Sequence, residues 1–69
     1  MAESVYKLID LVGSSPDSWE GAAKNAIERA GKSLRDIRIA EVIKFDIKIQ
    51  DGKPLQFRTN LRLSFKYED

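Results

Sequence analysis

The chain has 69 residues, 12 Lys+Arg against 11 Asp+Glu for a net charge of +1, and neither cysteine nor histidine. That length allows a single domain, residues 1–69, and the missing thiols and imidazoles exclude disulfides, thiolate metal sites, a cysteine nucleophile and a histidine general base. Domains of this size bury only about 60% of their unfolded surface and draw about 3–5 kcal/mol from a single core; with disulfides excluded and any metal necessarily hard and oxygen-bound, oligomerisation is the reinforcement left.

Acidic and basic residues are interleaved, which argues against a nucleic-acid partner, since such modules gather a basic excess on one face. The start, Met1-Ala2-Glu3-Ser4, is short and polar and does not read as a signal peptide. No stretch approaches the ~20 apolar residues of a membrane helix. The expectation is a cytoplasmic protein without a membrane partner.

In chain order, a first strand is predicted over residues 4–12. Val5, Ile9 and Leu11 with Lys7 form one face, and Tyr6, Leu8 and Val12 with Asp10 form the other. Both faces are largely apolar, unlike a strand with one side in water. One face can close the chain's own core, and the other calls for a neighbouring subunit.

Gly13-Ser14-Ser15-Pro16-Asp17-Ser18 reads as a breaker cluster. Ser15 before Pro16 is the expected cap of the following helix, and Asp17 with Glu20 fits a capping box. The helix is predicted to run to about Leu34. Trp19, Ala22, Ala23, Ala26, Ile27, Ala30 and Leu34 make its apolar stripe. Gly21 and Gly31 each weaken a helix by up to ~1 kcal/mol relative to Ala; they read as points of close approach or, for Gly31, a late irregularity.

The last two elements form a hairpin, residues 37–49 and 55–67, around Asp51-Gly52. Ile37, Ile39, Ile43, Phe45, Ile47 and Ile49 alternate along the first arm, and Leu55, Phe57, Leu61, Leu63, Phe65 and Tyr67 along the second. A two-residue loop would pair Gln50 with Lys53 and send these faces to opposite sides. A three-residue Asp51–Lys53 loop repairs the phase, with Gly52 or Lys53 in the left-handed position. Ile43 is then expected opposite Leu61, Ile47 opposite Phe57, Ile49 opposite Leu55, and Asp46 opposite Arg58. The fold class is α+β, a β-α-β-β chain whose three antiparallel strands, in order 1-3-2, wrap one helix.

Chemistry is sparse. With scattered carboxylates and no Cys or His, the chain does not read as an enzyme. Glu41 falls within the apolar strip between Ile39 and Ile43, where a carboxylate must be paired, bind a ligand or meet a cation at an interface. Asp10, Asp17, Asp46 and Asp51 lack calcium-loop spacing, although symmetric assembly could gather copies of one carboxylate. Trp19 is in phase with the alanine stripe and reads as packing rather than as a ligand platform. Gly13-Ser14-Ser15 offers backbone donors to an anion but matches no nucleotide motif.

Ser4-Val5-Tyr6-Lys7, Gly13-Ser14-Ser15-Pro16, Ser18-Trp19-Glu20, Leu34-Arg35, Glu41-Val42 and Leu63-Ser64-Phe65-Lys66 together resemble the dodecins, over essentially the whole chain. The resemblance implies a curved sheet around a helix, twelve copies closing into a hollow sphere, and storage or sequestration of a small ligand. Many dodecins bind flavins (FMN or riboflavin) between subunits. The positions matching that flavin site are Ile39, where a stacking tryptophan stands in flavin binders, Ala40, Asp46 in place of a phosphate-meeting base, Arg58 in place of a glutamine, and Lys66, which keeps its basic character. Loss of the stacking ring removes about 1 kcal/mol or more, which implies weak flavin binding. Ile39 and Arg58 have opposite strand parity, so a ligand shared by them would lie between subunits. The pattern is more similar to a dodecin branch without the tryptophan, one of which binds calcium; the resemblance assigns no metal ligands. A cage without any small-molecule ligand is the alternative.

Overall fold

The computed structural model describes residues 4–67; the Met1–Glu3 start lies outside them. Strand β1 (Tyr6–Ser15) leads to helix α1 (Trp19–Gly31), and β2 (Ile37–Gln50) and β3 (Lys53–Lys66) follow as a hairpin. The sheet is antiparallel in order β1-β3-β2, the arrangement expected from the sequence. The long hairpin sets the shape, 54 × 20 × 15 Å. No described helix is long and apolar enough to cross a membrane.

The helix lies over β1 and β3 on an alanine stripe. Ala26 and Ala30 are buried against Leu61 and Leu63, with Ile9, Leu11, Ile27, Leu34 and Ile37 around them, and Ala22 is buried over Gly13. Small side chains bring the axis close to the sheet, and Gly13 brings it closer still. A Cβ on Gly13 would stand 2.0 Å from the Ala22 carbonyl oxygen and 2.9 Å from the Ala26 Cβ. Gly13 is therefore not a breaker. β1 continues through Gly13, Ser14 and Ser15, opposite Thr59, Arg58 and Phe57, because ladder pairing and the seat for the helix outweigh local turn propensity.

The helix start also differs from expectation. Its cap is Ser18, with extended backbone (φ −165°) and an Oγ that accepts from the Gly21 amide at 2.8 Å. Ser15 sits at the end of β1, where its Oγ accepts from the Asp17 amide at 3.1 Å and tightens the connection. Gly21 is a true close approach, since a Cβ would meet the Ser15 and Ser18 hydroxyls at 3.0 and 3.1 Å, whereas Gly31 has nothing within 4 Å and ends the helix. Turn hydrogen bonds from Ser33 and Leu34 to the Ala30 carbonyl carry the chain past that end, so Leu34 still reaches the core. Asp36, at φ 57°, then turns the backbone into β2.

The hairpin loop has two residues, not three. Gln50 pairs with Lys53, and Asp51 (φ 53°) and Gly52 (φ 73°) both take the left-handed conformation, as a tight hairpin turn of matching twist requires. The phase conflict is resolved within the strands. Register shifts at Lys48/Ile49, Val42/Lys44 and Ile37/Ile39 leave Leu55, Ile43 and Arg38 as extra residues. Asp46 opposite Arg58 and Ile47 opposite Phe57 agree with expectation; Leu61 faces Val42 rather than Ile43, and Ile49 faces Pro54 rather than Leu55.

These bulges re-sort β2. Ile37, Ala40, Val42, Phe45 and Ile47 share the helix side with Phe65, Leu63, Leu61, Thr59 and Phe57. Glu41 is not in the apolar strip: it lies opposite Arg62 on the outer face. Because α1 covers β1 and β3, the helix-side apolar residues of β2 stay largely uncovered, with Phe45 57% and Ile49 66% exposed, while Ile39 is 64% exposed on the outer face. Leu8 and Val12 of β1 are 59% and 58% exposed on the outer face. The strand with two apolar faces is thus half covered within the chain.

Candidate functional site

The outer face of the sheet carries the ordered polar chemistry. From β3, Arg58, Asn60, Arg62, Ser64 and Lys66 share that face, because side chains alternate along a strand. Cross-strand neighbours on one face interact directly. Asp46 of β2 accepts two hydrogen bonds from Arg58, Oδ1 from Nε at 2.7 Å and Oδ2 from Nη2 at 2.8 Å. Asp10 of β1 does the same for Arg62, at 2.9 and 3.2 Å. Glu41 lies across from Arg62 on the other side, so two carboxylates flank one guanidinium. Between the two forks the Asn60 Oδ1 is buried without a partner among the described residues.

The electrostatics follow. The hydrogen bond from Arg58 holds the Asp46 carboxyl below its ordinary range against a smaller desolvation effect, helped by the charges of Arg58 and Lys44. Asp10 is lowered likewise, first by its hydrogen bond from Arg62. Arg58 and Arg62 are raised in return by the same contacts, Arg62 also by the charge of Glu41. Both forks remain solvent-exposed, 45% and 39% for Arg58 and Asp46, so their Coulombic contribution to stability is small.

Of the five positions matching the flavin site, Asp46 and Arg58 are brought into contact. Ile39 stands on the outer face opposite Ser64, and Ala40 on the helix side opposite Leu63. Lys66 pairs with Tyr6, eight residues from Arg58, or about 26 Å along the strand. A small ligand in one chain does not span both. The expected opposite parity of Ile39 and Arg58 is overturned, because the extra residue Ile43 puts both on the same face.

Lys66 instead belongs to a hollow of about 310 Å³ formed with Lys7, Ser33, Arg35 and Tyr67, in which the Lys7 ammonium lies 5.1 Å from the Tyr67 ring centre. Sequence reading did not assemble this group. The available signal for Lys7 was its place on one face of the first strand with Val5, Ile9 and Leu11; Arg35 lies in an irregular segment with no periodicity to place it. The Gly13–Ser15 segment is ladder rather than anion loop, and the Ser14 carbonyl accepts from Asn25 Nδ2 at 3.0 Å. Trp19 is a packing residue. Its ring centre lies 5.5 Å from that of Phe45 and 5.1 Å from that of Phe57, and its Nε1 donates to the Asp46 carbonyl at 3.1 Å, pinning the helix start to the hairpin. Among the described residues no three carboxylates converge as metal ligands would.

Comparison with known proteins gives a consistent picture. The Dodecin family model matches residues 5–68. The calcium dodecin of Mycobacterium tuberculosis is 48% identical over 63 residues, covering 91% of this chain and 89% of that protein. The crystal structure of that calcium-chelating antigen, with its calcium-binding site, superposes with a TM-score of 0.85 at 46% identity, covering 94% and 93% of the two chains. The dodecin of Streptomyces coelicolor superposes with a TM-score of 0.93 at 33% identity, over 100% and 99% of the chains.

Proposed function

The chain belongs to the dodecin family, and from that premise we propose that it is a non-catalytic sequestering or storage protein. It works as a homododecameric cage that holds an ion or small ligand where subunits meet. The observation that carries this reading is the uncovered apolar surface: Val42, Phe45, Ile47 and Ile49 on the helix side of β2 remain between 37% and 66% exposed in one chain. A contiguous surface of this kind on a small protein calls for a partner, and copies of the same chain supply it.

Calcium is the favoured ion. The support is the 48% identity to a calcium dodecin, together with the hard oxygen donors to which this histidine- and cysteine-free chain is restricted. Since no three carboxylates converge among the described residues of one chain, the ion would draw ligands from several subunits, with Glu41 on the outer face as the leading contributor. Flavin is disfavoured: Ile39 offers no ring to stack on, and the Asp46–Arg58 pair is closed on itself at 2.7 Å.

Native mass spectrometry of the protein as isolated, followed by calcium titration calorimetry after dialysis against chelator, tests both parts. Twelve subunits, retained calcium and a saturable heat are expected. A monomer or dimer at micromolar concentration overturns the cage, and neither heat nor retained metal overturns the calcium reading.

A further inference from the structure

The outer face of the sheet carries Arg58, Arg62 and Lys66 at four-residue intervals along β3, about 13 Å apart. A row of cations on one face ordinarily attracts anions. Here each arginine already faces a carboxylate in exact register, Asp46 from β2 for Arg58 and Asp10 from β1 for Arg62. Both contacts occupy the Nε–Nη2 edge of the guanidinium, the same fork that receives a carboxylate or phosphate in bidentate recognition. Burial does not force these pairs, since both are well exposed; register and fork geometry do. Asp46 is further positioned by the Trp19 indole, which donates to its carbonyl oxygen while packed against Phe45 and Phe57.

We propose that Asp46 is a specificity-determining residue that acts as a built-in anion, filling the Arg58 fork and thereby turning phosphate- and carboxylate-bearing ligands away from this part of the outer face. An incoming phosphate would have to displace a tethered carboxylate, which no diffusing ligand matches in local concentration, and would meet its negative charge at close range. Removing the carboxylate leaves a guanidinium on a fixed strand, aimed outward and ready for an oxyanion.

The test titrates FMN and riboflavin, which share a ring system and differ in the phosphate, into wild type, D46A, D46N and the double variant D46A/R58A, reading flavin fluorescence. Native mass spectrometry of each variant confirms an unchanged subunit count, and D46N, which keeps the size of the side chain, serves if D46A alters it. Expected are FMN binding tightened about tenfold or more in D46A, the step that one charge-assisted contact supplies, no change for riboflavin, and return to wild-type affinity in D46A/R58A. The proposal is overturned if a variant with the wild-type subunit count gains no FMN affinity, if riboflavin gains equally, or if the gain survives loss of Arg58. Failure of the cage itself is read separately, from the subunit count of the wild type.

Discussion

Substituting Gly13 by alanine should be the most damaging single-methyl change in this chain. The added Cβ would lie 2.0 Å from the Ala22 carbonyl oxygen and 2.9 Å from the Ala26 Cβ. Ordinary contact begins near 3.4 Å, so the helix must withdraw by about 1.4 Å. A flexible side-chain tip could rotate away; a carbonyl inside α1 cannot, because it accepts the helix's own hydrogen bonds. Withdrawal opens the seam between Ala26 and Ala30 and the buried Leu61 and Leu63. Overpacking of this kind costs about 1–3 kcal/mol, and a clash with backbone belongs at the upper end. Set against a core contribution of about 3–5 kcal/mol, about 3 kcal/mol removes most of the stability of an isolated subunit.

Urea unfolding followed by circular dichroism, at one fixed protein concentration because assembly couples to folding, measures this. With a slope of about 1 kcal/mol per molar for so small a domain, the midpoint should fall by roughly 3 M. Gly31→Ala is the matched control. It lies at the end of the same helix with nothing within 4 Å of a new Cβ, and should stabilise by up to about 1 kcal/mol. A G13A midpoint within about 0.5 M of wild type, with an unchanged spectrum, would refute the close-seating account of β1 and α1.

Ser18→Ala removes the acceptor of the Gly21 amide and should cost about 1 kcal/mol, while Ser15→Ala, which loses only the turn contact to Asp17, should cost less; thermal melts of both variants rank them. Asp10 and Asp46 are lowered in the folded state from their ordinary 3.8, so the unfolded chain binds more protons and stability rises with pH. Their contribution is complete above that ordinary value and fades as pH falls through the lowered ones; D10N/D46N should flatten this acid limb in urea midpoints taken between pH 2 and 6. Deleting Leu55, the extra residue of the bulge near the turn, should leave Gln50 opposite Lys53 and Asp46 opposite Arg58, giving a regular hairpin whose cross-strand NMR contacts match wild type on both sides of the deletion. A shifted Asp46–Arg58 contact would show that the loop rather than the bulge sets the register.

The elements that sequence revealed are those in which periodicity and burial agree. The alanine stripe located the helix, alternation located both hairpin arms, and the β-α-β-β order, with a helix returning antiparallel to the first strand and a hairpin after it, predicted the 1-3-2 order that the sheet adopts. Asp46 opposite Arg58 was legible because the extra residue Leu55 shifts the ladder by one residue, just as the expected three-residue loop would, and the stretch from Lys44/Asn60 to Lys48/Gln56 is unbroken. Boundaries were less legible. Gly13, Ser14 and Ser15 carry the composition of a loop, yet they are strand because β3 offers a ladder and α1 needs a seat without a side chain. No local pattern encodes a seat whose other half lies nine residues ahead in sequence.

The parity conflict in the hairpin was visible in the sequence, and only its remedy was not. An alternating pattern announces that two faces disagree by one residue, but a longer loop and a bulge correct the same error. The chain uses bulges, and their placement decides the chemistry of the outer face. The extra residue Ile43 moves Glu41 and Ile39 from the helix side to the side of Asp46, Arg58 and Arg62, and the extra residue Arg38 then returns Ile37 to the core. Without the first, Glu41 would face the helix among apolar side chains, unpaired and costly. With it, the carboxylates of Asp10, Glu41 and Asp46 and the guanidiniums of Arg58 and Arg62 share one surface. Three extra residues in the two longest strands thus replace a carboxylate facing the helix with one outer surface that carries Asp10, Glu41, Asp46, Arg58 and Arg62 together.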